Sequence, residues 1–198
     1  MPKNTDVRIG APDQKVTGAI KRAPLGTAVP TLADITKAAV NVNQAFAGDE
    51  YVSEDGLTLA PKISTADIKD WSGATIRKVL DAFDGTLSWT MISTNKNAMG
   101  IAFGDEHVTF VTASTSHGNQ TMAALGAYLP EEQAWVFLMK DGDARIVIAV
   151  PDGQITQVGE VSFKSNVAVA WPVTLSCYPD SSGNSIYIMT DDGQVIAA

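Results

Sequence analysis

The chain has 198 residues and a single cysteine, Cys177, which excludes an internal disulfide framework. It has two histidines, His107 and His117, and neither stands in metal-ligand spacing with a cysteine or with the other. No G-x-S-x-G elbow, P-loop or G-x-G-x-x-G motif occurs, so nothing points to an enzyme or to a bound cofactor. Basic residues are few. Lys and Arg number 14 against 22 Asp and Glu, for a net charge of −8. That balance argues against a nucleic-acid binder, which needs clustered cations for phosphate, but not against a surface past which nucleic acid slides. No apolar run approaches the ~18 residues of a membrane span. Residues 1–10 are polar and lack the apolar core of a secretory signal, so a soluble protein made in a cytoplasm is expected. No repeat or low-complexity tract is present.

What remains is an ordinary globular composition, 45% hydrophobic, long enough for one domain with a sizeable core. Residues 1–15, with Pro2 and Pro12, read as a flexible arm. Residues 16–198 read as one domain. Residues 16–23 suggest a first strand. Thr31 and Asp34 resemble a helix start, and Leu32, Ile35, Ala39 and Val42 give a short amphipathic helix closed by Gly48. Residues 57–63 are a strand candidate with Pro61 at an edge or bulge. Residues 64–74 are polar and read as a loop holding Trp71. Residues 75–94 are extended, with the alternation slipping near Asp81 and Ala82.

Within that stretch Phe83, Leu87, Trp89 and Met91 alternate with Asp84, Thr86, Ser88 and Thr90, which marks a strand with one buried and one wet face. Residues 96–103 form a helix behind a Thr94-Asn95 cap, ended by Gly104. Strands follow at 108–111 and 122–129. Residues 134–139 form an apolar run buried on both faces. Asp141-Gly142 and Asp152-Gly153 each read as a hairpin turn, leading into strands at 145–150 and 155–161. Residues 167–177 alternate, with Pro172 suggesting an edge or bulge, and Asp180 to Asn184 turn into a last strand at 185–189. This succession implies a β-sandwich or barrel.

The order within residues 51–104 is distinctive. A tyrosine-led acidic turn (Tyr51-Val-Ser-Glu-Asp-Gly56) opens it, Trp71 sits in the polar stretch, and a long strand and a capped helix close it. In this order, and more weakly in the later Asp180-Ser-Ser-Gly183-Asn184 turn, the chain resembles the major tail protein of long, flexible-tailed bacteriophages, the subunit of the tail tube. The resemblance implies a mainly β fold, a sandwich or barrel of tail-tube type with a short flanking helix and an extended N-terminal arm. It implies hexameric rings stacked into a tube in the virion tail, assembled in the host cytoplasm, through which the genome is ejected. Its partners would be other copies of itself, a tape-measure protein, a tail terminator and baseplate proteins, with DNA passing through the lumen without specific binding and no membrane involved.

By residue type alone Trp71 is balanced between folding onto its own core and anchoring a neighbour. The resemblance favours the anchor, on an inserted loop at 61–76, with Tyr51, Glu54 and Asp55 as candidates for the same inter-subunit surface, the acidic pair against a plain solvated turn. Asp84, Thr86, Ser88 and Thr90 are candidates to line the lumen, against a plain exterior face. Two rivals are a ring-forming tail terminator, baseplate or injection-system inner-tube component, and a carbohydrate-binding sandwich with Trp71 as a sugar platform.

Overall fold

The computed structural model describes residues 7–13, 18–48 and 50–195. Its elements are β1 (Ile20–Pro24), β2 (Val52–Lys69), β3 (Thr75–Met91), α1 (Lys96–Phe103), β4 (Val108–Val111), β5 (Gln120–Ala123), β6 (Gln133–Asp141), β7 (Ala144–Val158), β8 (Trp171–Tyr178) and β9 (Tyr187–Asp191). One antiparallel sheet has the order β1-β6-β7-β8-β3-β2, and β9 also pairs with β7. A separate two-stranded sheet joins β4 to β5.

β7 is the shared member of two half-sheets. Residues 145–149 pair with β9 and residues 152–158 pair with β8, while β6 runs along the other edge. The half holding β6 folds over the half holding β3. Trp89 of β3 therefore packs edge-on against Phe137 at 5.4 Å and beside Trp135 at 5.6 Å, both on β6, a strand three places away in the sheet. Leu87, Met91, Val150, Val173 and Leu175 complete this core. The result is an open sandwich, mainly β, with α1 against its flank. Asn95 caps α1 by accepting the Ala98 amide at 2.8 Å, and Phe103 meets Trp171 edge-on at 5.7 Å.

β6 is buried on both faces, as its unbroken apolar run predicts. Trp135 and Phe137 enter the main core, while Ala134, Val136 and Leu138 join a second core under residues 29–46. That covering segment was expected to be a helix. Only a 3-10 turn forms, at Leu32–Asp34. The buried Arg145 explains why: its guanidinium takes the carbonyls of Thr36, Lys37 and Ala38 and pairs with Asp13. Carbonyls held by a cation are not available to a helical ladder. The same clasp draws in residues 11–13, which hydrogen-bond along β6 beyond β1 through Asp13 to Leu138 and Lys140 to Ala11.

Several other expectations change. The strand expected to start at 16 begins at Ile20, and residues 14–17 lie outside the described residues. The strand expected at 122–129 is only β5. Asp152-Gly153 is not a hairpin: β7 runs straight through it. The glycine serves close packing instead, since an added Cβ would stand 3.1 Å from Trp135, Val150 and Leu175. The Trp135 indole donates to the Gly153 carbonyl at 3.2 Å. Pro172 lies on an interior strand, not an edge, near the start of β8 where the β7 ladder ends. Its carbonyl accepts from Gly159 at 2.8 Å, and its missing N–H faces that frayed end.

Candidate functional site

The feature no core requires is the outer part of the β2–β3 hairpin. β3 pairs with β8 only from Gly85 onward, so residues 60–84 leave the sandwich as a bare two-stranded ribbon. A lone ribbon is at best marginally stable in water, especially when it exposes apolar surface. This one exposes apolar side chains on both faces. Ile63, Leu80 and Phe83 continue the core face of the sheet, while Ile68 and Val79 lie on the opposite face. The stretch expected as a polar inserted loop at 61–76 is thus mostly paired strand, with a tip of only five residues. The register shift expected near Asp81 is present, as Ser64 pairs with Ala82 and Thr65 with Leu80.

The tip is built around Asp70. Its carboxylate accepts the amides of Ser72 and Ala74, both at 2.9 Å, and the Ser72 hydroxyl at 2.6 Å. The Ser72 hydroxyl first, then the Ala74 amide, holds the Asp70 carboxyl below the ordinary range. Gly73 at φ 87° closes the turn. Trp71, between them, has 105% of a free residue's exposure. The pre-organised turn thus holds the tryptophan out of its own core.

The other predicted surface residues lie at the far end of the same strands. Tyr51 is exposed beside the start of β2, its amide donating to the Ser93 hydroxyl at 2.8 Å. Glu54 and Asp55 stand exposed in the irregularity between Val52 and Leu57. The 18-residue β2 separates them from Trp71 by roughly 55–60 Å at strand rise. The subunit does not bring the four residues together. Beside Glu54 and Asp55 opens a cleft of about 500 Å³, with Pro12, Ile20, Leu57, Phe137 and Met139 in its walls. Sequence reasoning missed this cleft, because its walls come from four separate segments.

Asp84, Thr86, Ser88 and Thr90 share the face of β3 turned away from the core; Asp84 is exposed and the other three are half-buried. Across the ladder Thr86 faces Ser176, Ser88 faces Thr174 and Thr90 faces Pro172. Thr156 and Ser176 hydroxyls meet at 2.7 Å. The four thus belong to a wider sheet surface of hydroxyl and amide groups, with Lys62 opposite Asp84 at its margin.

The remaining titratable groups look structural. Burial pushes the Cys177 thiol up to about 12, which leaves it protonated and unreactive at neutral pH. Asp180 accepts the Tyr187 hydroxyl at 2.6 Å and the Ser182 and Asn184 amides, which fixes the turn before β9. Among the described residues, no group of three or more His, Cys, Asp or Glu is placed to hold a metal ion.

Asp152 is the strained one. Its Oδ1 is buried without a hydrogen-bond partner, and burial first, then the Glu132 charge, raises its carboxyl above the ordinary range. A raised folded-state value means that folding favours the protonated form. The benefit is complete below the unfolded value and is lost as pH rises through the folded one. Asp152→Asn is therefore expected to raise stability at pH 7 and to give no gain below about pH 4, where the carboxyl is protonated in both states. Thermal melts at the two pH values check this; an equal gain at both would place the cause elsewhere.

The family model described as "Phage tail tube protein" matches residues 4–197. The chain belongs to that family. This tail tube protein is accordingly a structural protein of the phage virion tail. No curated protein sequence matches it. Similar solved structures include the tube-terminating cap of the anti-feeding prophage, at 14% identity and TM-score 0.46, covering 93% of this chain and 94% of that one. The tail of an empty gene transfer agent particle is similar at 11% identity and TM-score 0.40, with 79% and 87% covered. A native gene transfer agent virion gives 10% identity and TM-score 0.39, with 75% and 92% covered. In this tail tube protein the mainly β fold with one short flanking helix agrees with the sequence expectation, while residues 64–69 of the ribbon are the part the sequence disguised.

Proposed function

We propose that the tail tube protein assembles into hexameric rings that stack into a tube, the conduit through which the genome is ejected into the host. Assembly would take place in the host cytoplasm, with a tape-measure protein, a terminator and a baseplate setting length and ends. The observation that carries this reading is the ribbon at residues 60–84. A family of tube subunits explains why apolar side chains on both its faces and a fully exposed Trp71 persist: neighbouring subunits cover them. Tyr51, Glu54, Asp55 and Trp71 are assigned to inter-subunit contacts. Negative-stain microscopy of concentrated protein tests the proposal. Long tubes are expected; single rings or persistent monomers would overturn it.

Asp84, Thr86, Ser88 and Thr90 are assigned to the lumen. What supports this is the chemistry of the face they share with β8, which is rich in short hydroxyl groups. Such a wall stays wet and gives a passing duplex no cation to grip beyond Lys62 at its margin, which stands opposite Asp84, and the net charge of −8 adds repulsion. The Thr86→Lys/Ser88→Lys double variant is expected to form tubes that retain DNA and release it slowly, in a salt-dependent way. On an exterior face the same change would be nearly silent, at about 0.5 kcal/mol or less per site. Normal ejection from virions carrying fully substituted tubes would put this face outside.

A further inference from the structure

We propose that the hairpin tip of one subunit seats in the basal cleft of a second copy, Trp71 entering the cleft and Lys69 and Arg77 meeting Glu54 and Asp55. The inference rests on the tube reading above and adds the surface that receives the tip.

Three observations carry it. The first is fit. The cleft holds about 500 Å³, within the range that encloses a small organic group. Its walls are mostly apolar, and the Glu54 and Asp55 carboxylates that also line it can accept the indole N–H, which an entering tryptophan needs. The second is charge. Lys78 at the tip is taken by Asp67 at 2.7 Å, and the Asp70 carboxylate is turned into its own loop. Among the described residues no ion pair involves Lys69 or Arg77, nor Glu54 or Asp55. In a chain of net charge −8, a tip bearing two such cations faces a cleft bearing two such carboxylates.

The third is position. Tip and cleft lie at opposite ends of β2, so the tip cannot reach its own cleft. A contact between unlike surfaces at the two ends of one element is head-to-tail. It leaves a free tip and a free cleft after every addition, as growth along an axis requires.

The test uses the full chain. Ser53→Cys marks the cleft and Ser72→Cys marks the tip, while the native Cys177 is buried and silent. Under assembly conditions a short bismaleimide should link an equimolar mixture of the two variants into dimers and neither variant alone. The chain carrying both cysteines should give a covalent ladder. Independently, Glu54→Lys/Asp55→Lys and Lys69→Glu/Arg77→Glu should each raise the concentration needed for assembly at least about tenfold, and combining the four should restore it. Tubes that form normally with no mixed crosslink and with silent charge reversals would overturn the tip-in-cleft contact and leave the tube reading standing. Failure of the unmodified protein to form any assembly would overturn both.

Discussion

Trp71→Ala is expected to abolish tube growth and leave the subunit folded. The side chain touches nothing in its own subunit, and Asp70 holds the turn without it. Its removal should therefore change subunit stability by about 0.5 kcal/mol or less, as at other exposed positions. At an interface the same truncation typically costs about 2 kcal/mol or more, roughly a thirtyfold loss of affinity at each contact. The loss recurs in every subunit, so growth should stop at concentrations where the unmodified protein is expected to polymerise. Intrinsic fluorescence gives a direct readout. Trp89, Trp135 and Trp171 are already buried in the subunit, so a blue shift on assembly must come from Trp71. Tubes from the alanine variant at normal concentration, or a wild-type assembly with no spectral shift, would remove Trp71 from the contact.

Trp89→Ala should do the reverse and damage the subunit itself. Trp89 is 4% exposed, sits where the two half-sheets face each other, and packs against both Trp135 and Phe137. Emptying that site should cost about 3–5 kcal/mol through lost burial and an unfilled cavity. For a domain near this size that lowers the melting temperature by roughly 6–20 °C. Loss of assembly would follow only because folded subunits are scarce. A Trp89→Ala subunit that melts normally while Trp71→Ala unfolds would reverse the two assignments.

The sandwich was legible where a residue's neighbours along the chain also set its environment. Alternation from Leu87 to Met91 marked a strand with one buried face, and the run at 134–139 marked one buried twice. Asn95 and Gly104 bounded the helix. Legibility failed where a distant group decided the local structure. The amphipathic spacing of Leu32, Ile35, Ala39 and Val42 was real, but Arg145, more than a hundred residues on, claims the carbonyls a helix needs. The only sign was a cation set in the apolar strand of residues 144–150. Asp152-Gly153 had a hairpin's composition, yet its glycine is there to admit Trp135.

The site was half legible. Trp71 stood out as an aromatic in polar surroundings. The ribbon beneath it was legible in part: residues 57–63 and 75–84 read as extended, but residues 64–69 read as loop, because a strand wet on both faces in the free subunit carries no clean alternation. The cleft was invisible, since Pro12, Ile20, Leu57 and Phe137 come together only in three dimensions.

Because β7 belongs to both half-sheets, one continuous strand and its ladders tie the two halves of the sandwich together, and sliding of one on the other would break those ladders. Mechanically the subunit is a stiff body carrying one slender extension, the ribbon at residues 60–84. A tube of such subunits that curves must lengthen along its outer side and shorten along its inner side. The stiff bodies resist that deformation, so the compliance of the whole filament falls to the ribbons. Bending stiffness would then be set by the twist and splay of a two-stranded ladder, a property that residues 60–84 can tune without disturbing the packed core.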